Sequence, residues 1–141
     1  MSTISENTKR VLARAPLVIT ATTSSELVLD TAGFDGVMYT VPVGALDFTT
    51  TDETYVAAVF ESAASNGSGA VAIAGATVPF TVGSVEKTIQ ISGLGTGSRL
   101  RYQFLRFTLA GTTPSLAVAA VAVFSKSAGQ LNPTDVPEAS V

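Results

Sequence analysis

The chain has 141 residues, eight Lys or Arg against eleven Asp or Glu, and no histidine, cysteine or tryptophan. A chain of this length fits one domain that buries roughly 68–70% of its unfolded surface, so it needs neither disulfide nor metal to fold. Without imidazole or thiol, Ser/His/Asp and Cys/His catalysis and His- or thiolate-based metal sites are excluded, and a net charge of −3 sets the molecular field against polyanions such as nucleic acid.

These exclusions predict a protein that is not an enzyme and holds no cofactor. Apolar residues make up 46% of the chain and aromatic residues only 7%. Much of the apolar content is Ala and Val, interspersed with Thr, Ser and Gly, which suits closely packed sheets with small side chains. The longest apolar run, Leu116–Phe124, has strand length and falls well below the ~18–20 residues of a membrane span. The opening MSTISENTKR is polar and mixed in charge, unlike a secretory signal.

In chain order, residues 1–16 read as an extended N-terminal arm carrying Lys9, Arg10 and Arg14 and closed by Pro16. Residues 17–127 read as the folded domain, and residues 128–141, with Pro133 and Pro137, as an extended C-terminal tail. PLVITAT opens the strands. In ELVLDTAGFDG, Leu27 and Leu29 share one face before the AGFDG turn.

GVMYTVPVGALD puts Val37, Tyr39, Val41 and Val43 on a single face by the period-two rule. Pro42, opposite, cannot donate to a ladder, which predicts an edge strand or a bulge. ETYVAAVFESA is apolar on both faces, with Tyr55, Ala57 and Val59 on one and Val56, Ala58 and Phe60 on the other. A helix is the alternative there, but Tyr, Val and Phe favour strand. Gly75 and Pro79 make AVAIAGATVPFTV one bent strand or two short ones. KTIQIS points Ile89 and Ile91 inward, and SLAVAAVAVFSK sets Leu116, Val118 and Phe124 against Val121 and Val123. The sum is about eight strands in an all-β, antiparallel sandwich.

Two loops invite chemical readings. GLGTGS (93–98) lacks the Lys and the following helix of a phosphate-binding loop, so it reads as a turn. DFTTTDETY brings Asp47, Asp52 and Glu53 together, a set that could serve as a carboxylate pair or hard-cation ligands; a solvated loop is the favoured reading.

SRLRYQFLRFTLAG (98–111) holds Arg99, Arg101 and Arg106 within an aromatic run. Leu100, Tyr102 and Phe104 share one parity, whereas Leu105, Phe107 and Leu109 share the other. The switch predicts a β-bulge near Phe104–Arg106 that turns all three arginines to one non-core side, where they meet carboxylates or another subunit.

The polar arm, PLVITATTSSELVLDTAGFDGVMYTVPVGALD, DETYVAAVFESA, the Arg/Tyr-rich SRLRYQFLRFTLAGT and the Ala/Val strand LAVAAVAVFSK together resemble small capsid decoration, or cement, proteins of tailed bacteriophages. The resemblance covers residues 16–133. It implies a jelly-roll-like β-sandwich that oligomerises on the outside of the phage head, binds the major capsid protein and stabilises the shell. A trimer is the natural guess for such an assembly, and Lys9, Arg10, Arg14, Arg99, Arg101 and Arg106 are the expected contact residues. A tail or neck subunit and a carbohydrate-binding adhesion module are the alternatives.

Overall fold

The computed structural model describes residues 8–24 and 27–126, and within them the chain forms nine strands and no helix. These are β1 (Thr8–Ile19), β2 (Thr23–Ser24), β3 (Leu29–Asp30), β4 (Gly36–Leu46), β5 (Thr54–Ser62), β6 (Val71–Phe80), β7 (Glu86–Ser92), β8 (Tyr102–Ala110) and β9 (Leu116–Ser125). The C-terminal tail and residues 1–7 of the arm lie outside the described residues.

The pairing is that of one long hairpin, nested and rolled up. β5 pairs with β6, β4 with β7, the short β2 and β3 both with β8, and β1 with β9, all antiparallel. Rolling then adds β9–β4 and β8–β5 contacts and sends alternate pairs to opposite sheets. The result is a first sheet ordered β1-β9-β4-β7 and a second ordered β2-β8-β5-β6. With β2 and β3 counted as one interrupted strand, this is the eight-stranded jelly roll.

The core forms where the period-two pattern places it. Val37, Tyr39, Val41 and Val43, then Tyr55, Ala57 and Val59, Ile89 and Ile91, and Leu116, Val118 and Phe124 are all buried between the sheets. YVAAVFES is a strand, and the β6 segment is one strand, with a register shift against β5 between Ala58 and Phe60 and a positive φ of 81° at Gly75.

Three expectations are corrected. The folded domain begins by Thr8, because residues 8–16 pair along β9 as part of β1, with two register shifts between Leu12 and Leu17. β4 is an interior strand, so the edge expected from Pro42 is corrected, while the alternative of a bulge has a counterpart in the register shift against β9 between Val43 and Leu46. The ladder to β9 skips Val41 and Pro42 and resumes at Val43, whose N–H donates to Val85 O at 2.8 Å, so the missing donor is absorbed by a local gap.

The third correction concerns β8, which pairs with β5 in unbroken register from Tyr102 to Ala110. There is no bulge near Phe104–Arg106, and Arg99 and Arg101 precede the strand. The apparent switch of parity arises because a polar residue, Gln103, occupies an inner-face position and an aromatic residue, Phe104, an outer one. Gln103 is fully buried, and its Oε1 accepts the Tyr39 hydroxyl across the core at 2.8 Å. Burial drives the Tyr39 hydroxyl pKa well above the ordinary tyrosine range, so it stays a neutral donor.

This cross-sheet bond can be tested by deletion. Tyr39→Phe leaves a buried carbonyl oxygen without its donor and should cost about 1–3 kcal/mol in urea unfolding. Adding Gln103→Met should recover part of that loss, because removing both polar partners costs less than removing one.

Candidate interaction surface

The six basic residues singled out in the sequence do not form one surface. Arg101 makes a bidentate pair with Asp30, with Nε–Oδ1 and Nη2–Oδ2 both 2.8 Å, and its carbonyl accepts both the N–H and the hydroxyl of Thr31. It thereby clamps the end of the β7–β8 connection to β3. The Arg101 hydrogen bond holds the Asp30 carboxyl down at about 2, helped by the Ala32 N–H and the nearby charge of Lys9. Arg99 lies 3.5 Å from Glu61, a buried carboxylate on the inner-face parity of β5 whose other oxygen accepts the Leu100 N–H at 2.9 Å.

Arg106 is on the outer face of the second sheet. Its guanidinium sits 4.3 Å from the centre of the Phe60 ring and 5.6 Å from that of Phe104, and the two rings stack at 5.7 Å. Gly67 and Val28 close over this pair, for a Cβ on Gly67 would meet Phe104 at 3.2 Å and Val28 at 3.3 Å. The expectation that all three arginines project from one side is therefore corrected. Arg99 reaches toward the core and Arg106 covers aromatic rings on the opposite face.

The basic residues of β1 fall on both parities of the strand. Arg14, opposite Ala120, is buried; Lys9 and Arg10 are exposed, opposite Phe124 and Val123 respectively. Of the six, Arg10 shares the outer face of the first sheet. That face is largely apolar across β1, β9 and β4, and polar along β7, where Glu86, Thr88, Gln90 and Ser92 are exposed. Register places Leu12 and Val18 of β1 beside Val121 and Ala117 of β9, and Met38 and Thr40 of β4 beside Val123 and Val121. Leu12 is 47% and Val18 59% exposed.

Two shallow clefts mark the ends of this face. One, of about 500 Å³, is lined by Leu17, Val18, Pro42, Gly44, Ala117 and Ala119; the other, of about 430 Å³, runs along Gly36, Met38, Gln90, Val123 and Ser125. The sequence carried the signal for this surface in the continuous apolar run of β9, whose second face, Val121 and Val123, has no sheet to pack on.

One edge of each sheet, β1 and β6, is less suited to pairing with other chains. β1 carries Lys9, Arg10, Pro16 and its two register shifts, and β6 carries Pro79 and the Gly75 irregularity. Charges, prolines and bulges of this kind discourage edge-to-edge addition.

The acidic loop spends its carboxylates on its own closure. Asp47 accepts the N–H and hydroxyl of Thr49. Asp52 accepts the Thr50 hydroxyl at 2.7 Å and, from the β8–β9 turn, the Thr112 N–H at 3.1 Å and hydroxyl at 2.6 Å. These bonds hold the Asp52 carboxyl well below the usual range, the Thr112 hydroxyl foremost. Among the described residues no three acidic side chains are grouped to hold a metal ion.

No family model and no curated protein matches this chain. Among solved structures, a chain of the disulfide-linked pili that form Bacillus endospore appendages is similar, with a TM-score of 0.44 and 11% identity, covering 85% of this chain and 91% of its own length.

Two substitutions probe this geometry. Asp30→Asn breaks an exposed ion pair and should cost no more than about 1 kcal/mol. Because folding lowers the Asp30 pKa, that contribution is full above the ordinary aspartate value near 3.9 and is lost as pH falls through about 2, so the wild-type and Asp30→Asn stability curves should converge in acid. Gly111→Ala should cost more than about 1 kcal/mol, since its φ is +111° and a Cβ would fall 2.6 Å from Glu53 Cα.

Proposed function

We propose that this chain is a non-enzymatic structural protein of a phage virion, which binds the outside of the capsid shell and stabilises it through the outer face of the β1-β9-β4-β7 sheet. The observation that carries the reading is the apolar patch across β1, β9 and β4 on that face, where Leu12 sits beside Val121, Val18 beside Ala117 and Met38 beside Val123. A solvated outer face of an antiparallel sheet ordinarily alternates to polar residues, and a continuous apolar patch marks a contact surface.

Two further features support the reading. The guarded edges at β1 and β6 disfavour strand addition there, which leaves the face as the broader contact surface. The jelly roll is also an architecture used by viral capsid and lectin domains, a fold-level analogy that favours the proposal without fixing it. The major capsid protein is the proposed partner, and Arg10 at the border of the face is its proposed polar contact.

Leu12→Glu/Val18→Glu, two exposed positions, should leave thermal unfolding within about 1 kcal/mol of wild type and abolish co-sedimentation with purified capsids. Retained co-sedimentation would remove the face from the account. Recovery of the protein with separated tails, or binding on a glycan array, would favour a tail subunit or an adhesion module instead.

A further inference from the structure

β1 and β6 each bound a sheet with a proline and a broken register, but the first sheet has a second edge in β7. β7 contains neither proline nor glycine and pairs with β4 without a register shift from Glu86 to Ser92. Its two charges, Glu86 and Lys87, stand together at its start, which leaves TIQIS (88–92) as a regular and uncharged edge. An edge of that kind is a template for another strand.

The ladder to β4 determines which backbone groups of β7 are free. Val43 N–H donates to Val85 O at 2.8 Å, one step beyond the pair of Pro42 with Glu86. Hydrogen-bonded pairs alternate along an antiparallel ladder, so Lys87, Ile89 and Ile91 direct their N–H and C=O to β4, and Thr88, Gln90 and Ser92 direct theirs outward. Pro42 agrees with this count: it meets Glu86 between hydrogen-bonded pairs, so its missing N–H costs the β7 ladder nothing. Among the described residues no strand pairs with the outward side. Space flanks it as well. A cleft of about 320 Å³ separates Gln90–Ser92 from Ile73–Ala76 of β6, and the cleft along Met38 and Val123 lies on the other side.

We propose that this edge pairs with β7 of a second copy, antiparallel about a two-fold axis at Gln90, joining two four-stranded first sheets into one continuous sheet. The sequence is complementary to itself in that register. Gln90 meets its counterpart, and Thr88 meets the second copy's Ser92, hydroxyl beside hydroxyl on the outer side; these are the hydrogen-bonded pairs. On the inner side Ile89 comes beside Ile91. Lys87 falls opposite Gly93, which has no side chain, and Glu86 lies beyond the paired stretch. Moving the axis back to Ile89 or Thr88 sets Lys87 against an isoleucine, so the charge selects the register. The closed assembly is an isologous dimer rather than the trimer guessed from the resemblance. Its axis is perpendicular to the sheet, so both apolar patches face the same way. The pairing itself is independent of the capsid-binding reading.

Sedimentation equilibrium of the intact protein at rising concentration should show a monomer–dimer equilibrium. Gln90 is exposed, and its amide reaches only Met38 Sδ, at 3.6 Å. Gln90→Lys places two like charges at the axis and should weaken dimerisation about tenfold or more with the melting temperature close to wild type. Gln90→Glu should do the same, and an equimolar mixture of the two variants should recover the dimer as a mixed pair. Leu12→Glu/Val18→Glu should dimerise as wild type does, which separates this edge from the apolar face. A monomer at every concentration, a dimer that Gln90→Lys leaves unweakened, or charged variants that fail to recover it on mixing would overturn the proposal. So would a dimer lost in Leu12→Glu/Val18→Glu, because the copies would then meet through the face.

Discussion

Each sheet must bury one face against the other, and the rest of the molecule is shaped by what that leaves on the two outer faces. Alternation fixes the inner faces: Tyr39 and Val41 of β4, Tyr55 and Val59 of β5, Leu105 and Phe107 of β8, and Leu116 and Ala120 of β9 are all essentially inaccessible to solvent. The hydrogen bond from Tyr39 to Gln103 crosses this apolar layer, tying an interior strand of one sheet to an interior strand of the other. Because a buried polar pair is costly to misalign, it favours this register over a slipped one.

The outer faces are resolved differently. On the second sheet, Phe60 and Phe104 stack beneath Arg106, and Gly67 packs against Phe104, so this aromatic pair is covered from within the chain. On the first sheet, Leu12, Val18 and Val123 have no comparable cover among the described residues. The asymmetry is what gives the protein a direction: one face closed by its own side chains, the other offered outward. The polar loops serve the fold, since Arg101 with Asp30 and Asp52 with Thr112 each join segments that are distant in sequence.

The sandwich was legible in the residues because a strand's inner face repeats every second position, and KTIQIS, GVMYTVPV and LAVAAVAVF declare it plainly. What misled was β8. Gln103 inside and Phe104 outside reverse the usual assignment of polar and apolar residues, and the reason for each lies far away, in Tyr39 and in Phe60 with Gly67. The same distance hid the arginines' partners: 71 residues separate Arg101 from Asp30. Pro42 misled for a smaller reason, since one missing donor can be absorbed by a gap in the ladder as well as by an edge. The apolar outer face was visible in β9 itself, but only the strand order shows that Leu12, Val121 and Met38 are neighbours.

The proposed role makes this protein a stoichiometric part of a phage shell, held there by the open face of its first sheet. The most direct measurement is its copy number in purified heads, determined against the major capsid protein by quantitative mass spectrometry. A fixed copy number commensurate with the symmetry sites of the capsid lattice is expected. Its absence from heads, or a variable trace amount unrelated to the lattice, would contradict it.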